Sequence, residues 1–177
     1  MKTKINSTWG KGVIILSIMF LAFAFGAYFY FLNFAINYNN TSMAGVPQNI
    51  TETRDIVIVK QSDETHSKSL NVKIADSPNE RTIGMAYVDW ISEDEGMLFV
   101  FDDVTDSSFW MKNCLINLDI IFIDERGVIV DILKDLAPCS SSSCPKYYAS
   151  DNYRYVVEVN GGWSDKYGFE IVDKVIF

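Results

Sequence analysis

The chain has 177 residues, about one domain plus a spare segment. Its first 51 residues hold Lys2, Lys4 and Lys11 and no acid, so the remainder carries 12 basic against 23 acidic side chains. That balance excludes nucleic acid as a partner, because such binding rests on Lys and Arg neutralising phosphates. One histidine and three cysteines exclude a His-rich metal site, and no cofactor is expected.

From Gly12 to Leu32 the chain reads GVIILSIMFLAFAFGAYFYFL, 21 residues without a charge. As a helix this stretch spans roughly 31 Å, which matches the roughly 30 Å hydrocarbon layer of a bilayer. Twelve of its residues are Leu, Ile, Val or Phe, worth about −4 to −7 kcal/mol of insertion free energy together. Basic residues precede the span and none follows before Arg54. The positive-inside rule therefore predicts residues 1–11 in the cytoplasm, a transmembrane anchor over 12–36 and everything later outside the cell membrane. The competing reading is a cleaved signal peptide at Ala24-Phe25-Gly26. Against it, the apolar run continues to Ile36, beyond the 7–15 residues of a signal's apolar region. Residues 37–54, rich in Asn, Thr, Ser, Gly and Pro, read as a flexible stalk. The stalk carries glycosylation sequons at Asn39, Asn40 and Asn49.

Residues 55–177 read as an extracytoplasmic β domain. Ile56–Val59 and Leu70–Ile74 have strand character, joined by a polar turn over Gln61–Ser69. Asp76-Ser77-Pro78-Asn79-Glu80 starts a helix: Ser77 caps, Pro78 suits the first position, Glu80 completes a capping box, and Gly84 ends it after about two turns. Met97–Phe101, Ser107–Lys112, Leu118–Asp124 and Val128–Leu133 are four further strand candidates, the last two joined by a tight turn at Glu125-Arg126-Gly127. Tyr153–Asn160 alternates as a strand, Gly161–Tyr167 forms a short helix closed by Gly168, and Glu170–Ile176 is a final strand. About eight short strands and two brief helices predict a mainly β (α+β) domain, a small barrel or curled antiparallel sheet.

Together these segments resemble the family named domain of unknown function 192. The resemblance rests on ADSPNERTIGM (75–85), EGMLFVF (95–101), FWMKN (109–113), LDIIFID (118–124), APC (137–139), CPKYY (144–148), YVVEVNGGW (155–163) and Gly168. It implies a compact β domain of barrel type, often behind a signal or anchor, and carries no established activity. Two departures stand out. The family tends to have Gly-Leu-Met followed by an arginine after the first helix, where this chain has Gly84-Met85-Ala86-Tyr87-Val88. Cys114 stands where the family usually has Thr, and reads as a tolerated substitution rather than a nucleophile.

Strand alternation in Phe109–Asn113 puts Trp110 and Lys112 on one face, with Asn113 at the strand end. They read as the polar-aromatic wall of a ligand site, or as a lysine stem lying along a tryptophan ring. Asp119 shares a face with Ile121 and Ile123 and needs donors, from Lys112, Asn113 or backbone amides. Both Asp119 and Glu158 are candidates for an acid or base, and both are open to a structural role; Arg81 and Arg154 are possible partners for Glu158. Cys139 and Cys144, four serines apart, form a disulfide, remain free thiols or serve a redox or metal role. Asp102, Asp103 and Asp106 lack calcium-loop spacing. The leading expectation is a membrane-anchored, non-catalytic module that binds a ligand or partner through Trp110, Lys112, Asn113 and Asp119. The alternatives are a hydrolase or transferase using Asp119 or Glu158 with Lys112, and an accessory subunit bound to membrane or cell-surface proteins through its span.

Overall fold

The computed structural model describes residues 27–28 and 50–177. The segment 1–11 expected in the cytoplasm, the expected anchor 12–36 apart from residues 27–28, most of the expected stalk and the sequon residues Asn39, Asn40 and Asn49 lie outside the described residues. Among the described residues no helix is long and apolar enough to cross a membrane. The chain divides into two units, Met1–Thr41 and Ser42–Phe177, and the sheet belongs to the second.

Seven strands form one sheet: β1 (Thr53–Lys60), β2 (Asp63–Ala75), β3 (Glu95–Thr105), β4 (Leu118–Ile123), β5 (Ile129–Leu136), β6 (Tyr153–Asn160) and β7 (Lys174–Ile176). Helix α1 (Pro78–Ile83) lies between β2 and β3, and α2 (Trp163–Tyr167) follows β6. The order across the sheet is β5-β4-β6-β3-β2-β1-β7. Two expectations need correcting. The sheet is not purely antiparallel, because β2 and β3 pair in parallel, from Asn71 with Glu95 to Ala75 with Phe99. A parallel pair needs a crossover, and α1 with the following turns supplies it. Nor is there an eighth strand among the described residues: Ser107–Lys112 makes only isolated bridges, Phe109 with Tyr147 and Lys112 with Cys139. The polar turn expected over Gln61–Ser69 shrinks to Gln61-Ser62, because exposed polar residues extend β2 back to Asp63.

The sheet is not closed, although its ends are tied. Val128 bridges Lys174, and Val175 N–H donates to the Gly127 carbonyl at 2.7 Å. Gly127 has φ +80°, and a Cβ there would sit 2.6 Å from the Val175 carbonyl oxygen, so this turn requires glycine.

Each face of the sheet carries its own apolar core. One face collects Met97, Phe99, Ile120, Phe122 and Val156, covered by Met85, Val88 and Ile91 after α1 and by Phe109, Met111 and Cys114. The other collects Leu98, Ile121, Ile123, Val157 and Val159 with β1, Trp163, Phe169 and Val175. Burial on both faces explains why β4 is a continuous apolar run broken by Asp119 alone. Ile50, assigned to the stalk by its polar neighbours, is already buried in the first core.

Candidate functional site

Helix α1 forms one wall of a cleft. Its N-terminus is fixed by a reciprocal capping box, Glu80 N–H to Ser77 Oγ at 3.3 Å and Ser77 N–H to Glu80 Oε2 at 3.0 Å. The Ser77 amide holds the Glu80 carboxyl below its ordinary range, so Glu80 is a cap. One turn on, Arg81 lies 5.0 Å over the Phe101 ring, and its guanidinium donates to the Val100 carbonyl at 2.7 Å and to Asp76.

Segment 107–114 forms the opposite wall. It alternates without joining the sheet: Phe109 and Met111 are buried, while Trp110 is 42% exposed. Its backbone is held from outside. Phe109 and Tyr147 exchange hydrogen bonds of 2.8 and 2.9 Å, Cys139 N–H donates to Met111 O at 2.9 Å, and Asn113 N–H donates to Cys139 O at 2.8 Å. Cys139 and Cys144 are joined by a disulfide. Closing so short a loop contributes about 2 kcal/mol in the chain-entropy model and steadies the residue against which Asn113 is bonded.

The rim is made rigid in an uncommon way. Tyr87 and Asn113 both have left-handed backbones, φ 64° and 61°, and they are bonded to each other: Tyr87 N–H to Asn113 O at 2.8 Å and Asn113 Nδ2 to Tyr87 Oη at 2.9 Å. Left-handed backbone costs a non-glycine residue free energy and persists only where neighbours hold it. Next to Asn113, the Lys112 ammonium stands 5.4 Å from the centre of the Trp110 ring.

Between the walls lie three spaces, each lined in part by Thr82 and Trp110. A recess of about 330 Å³ is lined by Arg81, Phe101, Ser108 and Trp110. A second, of about 260 Å³, is lined by Ile83, Ala86, Tyr87, Trp110, Lys112 and Asn113. A throat of about 20 Å³ reaches inward to Cys114 and Glu158. Glu158 is only 4% exposed. Burial pushes its carboxyl up to about 8, and its Oε2 is a buried atom without a hydrogen-bond partner. Neither arginine considered as its partner is hydrogen-bonded to it: Arg81 donates to the carbonyls named above and Arg154 to the Phe101 carbonyl at 3.4 Å.

The structure brings together Trp110, Lys112, Asn113 and Glu158, and separates Asp119 from them. Asp119 does face the side of Ile121 and Ile123, but its donors are backbone amides and neither Lys112 nor Asn113. Oδ1 accepts from Asp135 N at 2.8 Å and Gly162 N at 2.8 Å, and Oδ2 accepts from Ser164 N at 2.7 Å. With three amide donors it pins the β5 end and the start of α2 to β4, on the face of the sheet away from the cleft. Sequence reasoning missed Arg81, Thr82 and Tyr87 as cleft residues, since only the crossover places α1 opposite Trp110. The single histidine is occupied, with His66 Nε2 at 2.7 Å from Tyr167 O. Among the described residues no group of His, Cys, Asp and Glu is arranged to hold a metal.

Cys114 is equally inactive. Desolvation, with the Glu158 charge second, pushes its thiol up to about 12, so it carries almost no thiolate at neutral pH. Iodoacetamide at pH 7.5 is expected to leave Cys114 unmodified in the native protein and to alkylate it after denaturation. Rapid native labelling detected by mass spectrometry would contradict this.

Residues 57–177 match the family DUF192, described as an uncharacterized ACR. The chain belongs to this family. Among solved structures it is similar to a candidate transcription regulator from Sinorhizobium meliloti, with 27% identity, a TM-score of 0.64, and coverage of 71% of this chain and 93% of that one. It is also similar in fold to a protein of unknown function from Novosphingobium aromaticivorans, with 24% identity, a TM-score of 0.67, and coverage of 74% and 89%. No curated protein matches.

Proposed function

We propose that this domain is a non-catalytic ligand-binding module, held outside the cell membrane by an anchor at residues 12–36. The observation that carries the binding reading is Glu158, a buried carboxyl with an unpartnered Oε2 at the end of an aromatic-lined cleft. Native proteins rarely leave a buried polar atom unpaired, and where they do a missing partner is the usual explanation. The locked Tyr87–Asn113 rim supports the same reading, because a preorganised cleft loses less entropy on binding. The anchor rests on the length and apolarity of its segment and on the basic residues before it. The regulator description of the Sinorhizobium protein is not carried over, since acidic residues outnumber basic ones 23 to 15 here.

A second reading has one observation in its favour: a carboxyl raised to about 8 is poised for proton transfer near neutrality, which would suit a hydrolase or transferase with Glu158 as acid and Lys112 stabilising an anion. Asp119 no longer belongs to that reading, because backbone amides occupy it.

The test is an NMR screen of small fragments against the full chain in detergent, repeated on Thr82→Trp, whose added ring fills the space shared by both recesses. Fragments that shift the Trp110 indole and lose affinity ten-fold or more in the variant support the module. An absence of hits, or hits indifferent to the substitution, refutes it. Conversion of a hit by the native protein but not by Glu158→Gln moves the assignment to the enzyme reading.

A further inference from the structure

Resting on that cleft reading, we infer that the ligand it takes is a small organic acid, with its carboxylate in the throat beside Glu158 and its apolar body against Trp110. Three observations point there. The first is charge. Acidic residues outnumber basic ones 23 to 12 after residue 51, yet the two outer recesses are lined by Arg81 and Lys112 and by no acidic side chain. A local reversal of sign inside an acidic domain favours an anion and disfavours an ammonium ligand.

The second is Lys112 itself. Among the described residues the ion pairs engage Arg54, Lys68, Arg126, Lys134 and Lys166, and Lys112 is in none of them. Its ammonium stands over Trp110 at the rim, where it can meet one oxygen of a bound carboxylate.

The third is the size and chemistry of the throat. At about 20 Å³ it has room for one water-sized group. A carboxylate can place one oxygen there and leave the other at the rim. Because burial keeps the Glu158 carboxyl protonated through neutrality and the residue lines the throat, this carboxyl can donate its hydrogen to the incoming oxygen, and an O–H···O⁻ bond of this kind is among the strong ones. No covalent step is involved.

The groups around Glu158 do not compete for this role. Cys114 from the second wall is a neutral thiol. Lys112 from the same wall and Arg81 from α1 line the throat with it. On the sheet, β3 sets Met97 and β4 sets Ile120 directly opposite Glu158. Lys73 of β2 is one strand further away, opposite Met97, and interacts with Glu95.

The experiment titrates three probes of one shape, benzoate, benzamide and benzylamine, into the isotope-labelled full chain in detergent, following the Trp110 indole signal. Benzoate is expected to bind at least ten-fold more tightly than either analogue at pH 6.5. Its affinity should fall ten-fold or more in Lys112→Met, a rim change that leaves the core intact, and should fall again between pH 6.5 and 9 as Glu158 loses its proton. Benzamide should show no such pH dependence. Equal binding of benzamide or benzylamine overturns the carboxylate assignment and leaves the cleft as a binding site. No saturable shift from any of the three overturns both.

Discussion

Raising the pH from 5 to 8 is expected to destabilise this domain, and Glu158→Met is expected to abolish most of that loss. The carboxyl of Glu158 ionises at about 8 in the folded protein, against 4.5 for the ordinary side chain, because burial penalises the charged form. Below pH 4.5 both states hold the proton, and the contribution is fully present. Between 4.5 and 8 the unfolded chain has released it and the native state has not. Stability therefore falls by up to about 1.4 kcal/mol per pH unit and levels off above the folded value. The full window corresponds to a few kcal/mol, a large share of the 5–15 kcal/mol typical of a domain. Methionine has a similar length and no proton to lose, so the variant should be more stable than the native protein at pH 8. Denaturant unfolding of the full chain in detergent at pH 5, 6.5 and 8, followed by tryptophan fluorescence, measures both curves. Parallel pH profiles for the two proteins would mean that Glu158 is solvated or paired, and the cleft's missing hydrogen-bond partner would disappear with that result.

Asp119→Ala is the second large effect. The substitution leaves the amides of Asp135, Gly162 and Ser164 without their acceptor, in a region where Asp119 is fully buried. Each orphaned buried donor costs about 1–3 kcal/mol, so the expected loss is at least about 3 kcal/mol. Asp119→Asn keeps one acceptor oxygen but turns an NH₂ toward the other donors, and should fall between the two. The denaturant midpoint of the full chain reports the result. If Asp119→Asn kept the native midpoint while abolishing ligand binding, Asp119 would belong to the site after all.

Both residues bear on how much could be read from the chain beforehand. The apolar environment of Asp119 was legible, because β4 alternates and places it with Ile121 and Ile123. Its donors were not, because they come from residues 16, 43 and 45 positions later, and only the folded chain brings their amides to one carboxylate. Trp110 and Lys112 were visible as a pair from alternation alone, even though their segment is not a strand. Alternation needs only an extended backbone over a core, and the bridges to Tyr147 and Cys139 provide that without a sheet neighbour. The capping box of α1 is local and was complete in the sequence. What α1 faces was not.

Whatever depends on neighbours along the chain could be read without coordinates. Strand periodicity, the Ser77 cap, the disulfide-capable cysteine pair and the family motifs all fall in this group, because each is decided by residues within a few positions of one another. Folding was needed to reveal that β2 and β3 run parallel, that α1 therefore crosses to stand opposite Trp110, and that Glu158 lines a throat between them while Asp119 is turned to the other face. Those outcomes depend on contacts between distant residues, whose closure entropy is overcome only when two faces of one sheet are buried at once.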